Sequence, residues 1–138
     1  ALSNSGHYVE AAQRYLEAKE RWPVGSESWA KATANTFDVL RLEECSEAAT
    51  PEWWNDEALK ALSARVLRAA LNEESAIDMR ANVLSGFSGA WEAGRRSAAE
   101  LKEAATCFDR SVALCNAPVW KVELSRRADW CRGRAEAM

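Results

Sequence analysis

The sequence is poor in residues that interrupt helices and in residues that favour strands. Of its 138 residues only 6 are glycine and 3 are proline, and it has only 2 tyrosines and 3 phenylalanines. Valine and isoleucine are also sparse, whereas Ala, Glu, Leu, Arg and Lys, which favour helices, dominate. This composition predicts an all-α fold.

Residues that bind metal ions are also scarce. His7 is the only histidine, and the four cysteines form no C-x-x-C pair, so no metal site and no cofactor is expected. Cys107 and Cys115 lie eight residues apart beside apolar residues, which favours buried free thiols over disulfides. Together with the lack of a secretory signal pattern, this favours a reducing compartment, the cytoplasm or an organelle interior, and a protein that is not secreted.

Neither charge nor hydropathy points to nucleic acid or to a bilayer. The chain has 18 Lys and Arg against 21 Asp and Glu, a net charge of −3, whereas phosphate binding needs an excess of cations. No apolar run approaches the roughly 20 residues of a transmembrane helix. The two halves differ in sign, because residues 1–60 hold 6 basic and 11 acidic residues and residues 61–138 hold 12 and 10.

Boundary signals divide the chain into six predicted helices. Thr50 is the expected N-cap of the third helix, and Ser75 with Asp78 is expected to begin the fourth. Ser97 with Glu100 matches a capping box that opens the fifth. The predicted helices span about residues 6–21, 26–47, 51–71, 75–93, 97–115 and 118–136, in a single array over residues 1–138.

A repeat with a period of 46 to 47 residues runs through the chain. Three segments open with Glu-Ala, at Ala11, Ala58 and Ala104, and each places a bulky apolar residue four positions after that alanine. Such a period is typical of stacked helix pairs, because one pair cannot bury its apolar stripe without a neighbour.

The first of these segments has the clearest family pattern, at Gly6, Tyr8, Ala11, Tyr15, Ala18 and Pro23, followed in register by Trp29. This spacing resembles the second helix of a tetratricopeptide repeat, although the period here exceeds the roughly 34 residues of that family. The resemblance implies antiparallel helical hairpins stacked into a right-handed α-α superhelix. It also implies a partner-binding role without catalysis.

In this family the first helix of each pair mainly lines the groove. Extending the register onto those helices gives six candidate partner-binding residues: Lys31, Asn35, Asp38, Asn82, Arg126 and Arg132. The final helix is rich in arginine, which pairs well with carboxylates. An acidic peptide or protein is therefore one candidate partner.

Seven tryptophans are unusual for a chain of this length. Trp53 and Trp54 are consecutive at a predicted helix start and so point in different directions. They are therefore the candidate exposed aromatic contacts. The other five are expected to pack, Trp29 and Trp91 in the core and Trp22, Trp120 and Trp130 between adjacent helix pairs.

No motif in the sequence indicates an enzyme. It has no Gly-rich phosphate loop, and adjacent carboxylates such as Glu73 and Glu74 lie near predicted helix ends, where solvation is their usual state. The leading hypothesis is a non-catalytic scaffold that binds a protein or peptide in a helical groove, as a module or subunit of a larger assembly. The alternative is a structural subunit of an organellar membrane-associated complex, photosynthetic or respiratory, that contacts lipid or pigment through exposed tryptophan.

Overall fold

The computed structural model describes residues 14, 16–41, 52–86 and 91–138. Within these ranges there is no strand, so the prediction of an all-α fold is confirmed. Residues 16–19 are helical, as the predicted first helix requires, whereas Gly6, Tyr8, Ala11 and Tyr15 of the family-like pattern lie outside the described residues. Five helices follow: α1 Glu27–Leu40, α2 Asp56–Ala69, α3 Glu74–Ser85, α4 Ala98–Leu114 and α5 Pro118–Glu136.

α1 begins where the sequence predicts. The Ser26 hydroxyl accepts a hydrogen bond from the backbone N–H of Trp29 at 3.1 Å and so caps the helix. Trp29, Phe37 and Leu40 recur at helical spacing on the buried face. The helix ends at Leu40, short of the predicted residue 47, and residues 42–50 lie outside the described part of the chain.

α2 begins five residues later than predicted. Its N-cap is Asn55, whose side-chain oxygen accepts a hydrogen bond from the N–H of Ala58 at 2.9 Å. The predicted start at residue 51 is wrong, because residues 52 and 53 form a turn and the helix begins only after the cap at Asn55. Thr50, the expected cap, lies outside the described residues. Asp56 and Glu57 occupy the first turn, where the helix dipole favours carboxylates.

α3 is shorter than the helix predicted over residues 75–93. It begins at Glu74, with Glu73 rather than Ser75 as its N-cap, and it ends at Ser85. Gly86 follows with a φ of 72°, a left-handed conformation that glycine adopts without steric cost. The prediction ran through this residue because a glycine inside a helix and one just past its end look alike in sequence.

The last two helices agree best with prediction. The Ser97 hydroxyl accepts from the N–H of Glu100 at 3.1 Å, and the Glu100 carboxylate accepts from the N–H of Ser97 at 2.8 Å. These two bonds confirm the capping box. Pro118 is the first residue of α5, a position where its missing N–H leaves no hydrogen bond unmade.

The helices pack in chain order, each against the next, and α1 also contacts α3. One buried cluster, with Phe37 and Leu59, joins α1, α2 and α3. A second, with Leu84, Phe108 and Leu124, joins α3, α4 and α5. α3 therefore contributes to both clusters and connects the two ends of the described chain. Stacking into a right-handed superhelix stays a prediction.

Three cysteines are buried free thiols, as the sequence predicts for two of them, Cys107 and Cys115. Cys107, Cys115 and Cys131 form no disulfide and are almost fully inaccessible. Burial raises the pKa of Cys107 and of Cys131 to about 11. Cys45 lies outside the described residues.

Five of the seven tryptophans divide into a buried and an exposed set. Trp29 and Trp91 are buried, as predicted. The expectation that Trp22, Trp120 and Trp130 are covered by neighbouring helices is wrong, because 41% to 48% of their surface is exposed. Two of them project from α5, which packs mainly against α4.

Candidate functional site

A cleft of about 280 Å³ lies between α1, the start of α3 and the start of α5. These are alternate helices of the chain, the ones on which the family-like register places a groove. Within the described part of the chain, the side chains that line the cleft include four carboxylates and no lysine, arginine or histidine.

α1 forms one wall of the cleft. Asn35 and Asp38 are three residues apart and share the exposed face of the helix. Phe37, between them in sequence, is buried and anchors the wall to the core. Lys31 lies one turn earlier on the same face, and its Nζ is 3.7 Å from the Glu73 carboxylate on the opposite wall.

The start of α3 supplies the other three carboxylates. Glu73 and Glu74 stand at the helix N-terminus, where the dipole stabilises negative charge, and the Ser75 hydroxyl donates to Glu73 at 3.4 Å. Asp78 follows Glu74 by four residues, so two like charges share one face. Among the described residues, no cation lies within ion-pair distance of Glu74.

Asp78 is only partly neutralised. Its side chain is 26% exposed, and Arg41 Nη2 is 3.9 Å away while the same nitrogen is 2.8 Å from Asp38. Burial raises the pKa of Asp78, and the charges of Asp38 and Glu74 act in the same direction against Arg41 and Arg127. The cleft therefore holds a recessed carboxyl group, and the cation nearest to it, Arg41, lies closer to Asp38 than to Asp78.

α5 and α4 complete the cleft. Trp120 is 41% exposed at one edge, and the guanidinium carbon of Arg127 lies 5.1 Å from its ring centroid. Leu124 is buried one turn further along. From α4 comes Ser111, which is 2% exposed and whose hydroxyl has no hydrogen-bond partner within the described structure.

Two of the six residues predicted from the groove register, Asn35 and Asp38, line this cleft, and Lys31 lies beside it. Asn82 does not reach it. It is fully buried in α3, where its amide nitrogen donates to the Asp78 carbonyl oxygen at 2.8 Å. Its side chain therefore offers no surface to a partner, and the prediction that Asn82 lines the groove is wrong.

The other two predicted residues lie further along α5 and do not line the cleft, which reaches only the first turns of that helix. Arg126 donates to Glu123 at 3.2 Å on the exposed face. Arg132 donates to Asp109 of α4 and to Asp129, both at 2.6 Å. Both guanidinium groups are thus engaged within the chain, and Arg132 links α5 to α4.

Trp53 and Trp54 are half-buried rather than an exposed pair. The Trp54 ring centroid lies 5.5 Å from that of Phe37, 5.9 Å from that of Trp91 and 5.7 Å from that of Trp53. The Lys19 ammonium lies 5.4 Å from the Trp53 ring centroid. Because these tryptophans lie in a turn and not in a helix, adjacent side chains can join one cluster. The structure gives them a packing role in place of the expected exposed contact.

Sequence reasoning missed Asp78, Ser111 and Trp120 as cleft residues. The spacing of Glu74 and Asp78 signals a shared helix face. No local pattern signals that this face meets Ser111 of α4 and Trp120 of α5, because their approach depends on how three helices pack.

The chemistry of the cleft follows from its groups. Carboxylate oxygens accept hydrogen bonds, and the face of an indole ring attracts cations. Within the described ranges, no three His, Cys, Asp or Glu side chains are arranged to hold a metal ion. None of the described helices has the length and apolarity needed to cross a bilayer.

Comparison of the chain with protein-family models, with curated proteins and with solved structures found no match. The tetratricopeptide-like resemblance therefore stays a prediction from the residues that suggested it. Function has to be inferred from the cleft.

Proposed function

We propose that this chain is a non-catalytic helical scaffold that binds a partner protein or peptide in the cleft between α1, α3 and α5, as a module or subunit of a larger assembly. The proposal rests on one observation. The exposed side chains of Asn35, Asp38 and Trp120 are presented by helices that Phe37 and Leu124 anchor in the core. Groups held on packed helices keep their geometry, which favours specific binding.

The size and edge of the cleft suit part of a polypeptide. Its volume of about 280 Å³ is at the lower limit of about 300 Å³ for pockets that enclose a small molecule. It accommodates one or two side chains of a partner. Trp120, exposed at the edge, is the residue type that most often anchors protein interfaces.

The same lining supports a role without catalysis. A nucleophilic serine needs a hydrogen-bonded base, and the Ser111 hydroxyl has no partner among the described residues. Among the residues that the structure describes, neither histidine nor cysteine lines the cleft. The alternative function is contact with lipid or pigment through exposed tryptophan, and Trp22, Trp120 and Trp130 are exposed. We favour the scaffold because Trp120 borders a cleft that four carboxylates line, and such a lining suits a polar or charged partner group better than an apolar ligand.

Photocrosslinking and two tryptophan variants test the proposal. Benzoylphenylalanine, a photoreactive residue, placed at Asn35 identifies a protein that contacts the cleft in native extract. The same residue placed at the exposed Ala61 of α2 is the control. The purified partner is then titrated against Trp120→Ala and against Trp130→Ala. The two rings are matched, because each is exposed on α5 and each has an arginine over it, Arg127 or Arg134.

We expect crosslinks from residue 35 and not from residue 61. We also expect Trp120→Ala to weaken partner binding at least about tenfold, the usual loss at an aromatic anchor, and Trp130→Ala to leave it nearly unchanged. Equal crosslinking from both positions, or equal losses in the two tryptophan variants, would contradict binding in the cleft.

A further inference from the structure

The charge of the cleft is one-sided. Asp38, Glu73, Glu74 and Asp78 line it, and the cations nearest to them lie outside the lining. Lys31 is 3.7 Å from Glu73 at the rim. A ligand that enters therefore meets carboxylates, and complementary charge is what selects partners at such surfaces. This favours a cationic ligand group over the acidic partner that the arginine-rich final helix suggested.

A second, independent feature is the Ser111 hydroxyl. It lines the cleft, its residue is 2% exposed, and it has no hydrogen-bond partner among the described residues. A buried hydroxyl without a partner is unfavourable, and native proteins usually satisfy such groups. A donor brought in by a ligand, such as an ammonium or guanidinium N–H, would supply the missing bond.

The recessed position of Asp78 provides the charged acceptor. Arg41 Nη2 lies 3.9 Å from Asp78 but only 2.8 Å from Asp38, and Arg41 Nε also donates to Asp38, at 2.9 Å. Asp78 thus has no short ion pair among the described residues. A cationic group that reaches it would gain a hydrogen-bonded partner at little loss to the existing pairs.

Trp120 provides an apolar wall for the rest of such a side chain. Trp120 is 41% exposed at the cleft edge, and the guanidinium carbon of Arg127 lies 5.1 Å from its ring centroid. Lysine and arginine bury their methylene stems on apolar surface while the charged end finds polar partners. Trp120 thus suits the methylene stem of a basic side chain, and Asp78 and Ser111 suit its charged end.

We propose that the cleft receives a lysine or arginine side chain from a basic segment of the partner protein, with its charged end at Asp78 and Ser111 and its stem against Trp120. This inference rests on the proposed function and deepens it by naming the class of partner. The occupant is a polypeptide segment because the cleft is open to its surroundings and, at about 280 Å³, accommodates one or two side chains rather than a whole ligand.

Fluorescence anisotropy with defined peptides tests the inference. Three labelled peptides of about twelve residues, alternating serine with lysine, with glutamine or with glutamate, are titrated with the full chain at low salt. Asp78→Asn and Ser111→Ala probe the cleft. Their matched controls are Glu57→Gln, an exposed carboxylate on α2, and Thr33→Val, a buried unpartnered hydroxyl that does not line the cleft.

We expect the lysine peptide to bind and the glutamate peptide not to bind. Asp78→Asn should weaken the lysine peptide about tenfold or more, and Ser111→Ala severalfold, as expected for hydrogen bonds to a charged group. Glu57→Gln and Thr33→Val should change binding by less than about twofold. Circular dichroism checks that each variant is folded. We expect Asp78→Asn to fold, because it removes a charge that is costly to bury.

Several results would overturn the inference. Equal weakening by Asp78→Asn and Glu57→Gln would mean diffuse attraction to an acidic protein. Spermine competing as well as the lysine peptide at equal charge would assign the cleft to a free polyamine. Sedimentation showing a dimer that Asp78→Asn dissociates would assign it to a second copy of the chain.

Failure of this inference is distinguishable from failure of the proposed function. If the glutamine or glutamate peptide binds best and Trp120→Ala abolishes that binding, the charge class is wrong and the scaffold role stands. If no peptide binds, the inference is overturned, and crosslinking from position 35 decides separately whether any protein occupies the cleft.

Discussion

Asp56, the first residue of α2, and Arg96, just before α4, form an ion pair with two hydrogen bonds. Arg96 Nη2 donates to Asp56 Oδ1 at 2.6 Å, and Arg96 Nη1 donates to Oδ2 at 2.9 Å. The Trp91 indole N–H and the Gly94 backbone N–H donate to the same carboxylate at 2.9 and 3.1 Å. One carboxylate thus fixes the described part of the α3–α4 connection on α2. It also orients Trp91 against Phe37, at 5.8 Å between ring centroids, behind the α1 wall of the cleft.

Asp56→Asn is expected to destabilise the protein by about 3 kcal/mol near neutral pH, because it leaves a buried guanidinium without its charged partner. The side chains of Arg96 and Asp56 are 7% and 13% exposed, so water replaces little of the loss. Urea unfolding followed by circular dichroism measures the change. Glu57→Gln, at the next and exposed position, should change stability by less than about 0.5 kcal/mol. Similar losses in both variants would contradict the role given to Asp56.

The contribution of Asp56 should disappear in acid. Hydrogen bonds from Arg96 above all, with smaller contributions from Trp91 and Gly94, outweigh burial and hold the pKa of Asp56 well below its ordinary value of 3.8. The folded state then binds fewer protons than the unfolded state, so this stability is present above pH 3.8 and is lost as pH falls below it. The difference in unfolding free energy between the wild type and Asp56→Asn should therefore shrink between about pH 5 and pH 2. A difference that stays constant over this range would contradict the assignment.

The contribution of Asp78 to stability should depend on pH in the opposite direction. Burial raises its pKa above the ordinary value of 3.8, so the folded state holds the proton more strongly than the unfolded state. Its unfavourable contribution is absent below pH 3.8 and develops as pH rises through the folded pKa. Asp78→Asn should therefore be more stable than the wild type near neutral pH, and this gain should diminish in acid. Thermal melts of both proteins across that range measure it, and a variant less stable at neutral pH would contradict the expectation.

Two glycines should respond oppositely to alanine. Gly86 has a φ of 72°, and a Cβ there would lie 3.3 Å from Ala93 Cβ. Gly86→Ala should cost about 1 to 2 kcal/mol because it adds left-handed strain and a tight contact. Gly133 is helical within α5, with nothing within 4 Å of an added Cβ. Gly133→Ala should stabilise the protein by up to about 1 kcal/mol. The urea midpoint should therefore fall in Gly86→Ala and rise in Gly133→Ala.

The buried thiols should resist labelling. Cys107 and Cys131 have pKa values raised to about 11, and Cys115 is also buried, so little thiolate is accessible to reagent near pH 8. In a Cys45→Ser variant, which removes the thiol outside the described residues, Ellman's reagent should react with the remaining three only as the protein unfolds. Prompt reaction of one equivalent in the folded variant would contradict their burial.

Features set by neighbouring residues in the sequence were predicted well. The Ser97–Glu100 capping box, the start of α5 at Pro118 and the buried faces of Trp29 and Phe37 depend on contacts within one or two helical turns. The end of α3 was predicted too late because the conformation of Gly86 depends on the segment that packs beside it, including Ala93 and Arg96. The Trp53 and Trp54 expectation failed because the cap at Asn55 places both tryptophans in a turn.

The sequence by itself determined an all-α chain with most of its helix boundaries and the buried thiols of Cys107 and Cys115, since composition, caps and apolar periodicity act locally. Only the tertiary structure decided that carboxylates from α1 and α3, a serine from α4 and a tryptophan from α5 share one cleft. It also decided that Asp56 and Arg96 pair with each other while Asn82 is buried. These outcomes depend on how the helices approach each other, and that approach is set by burial of side chains far apart in sequence, which no local spacing records.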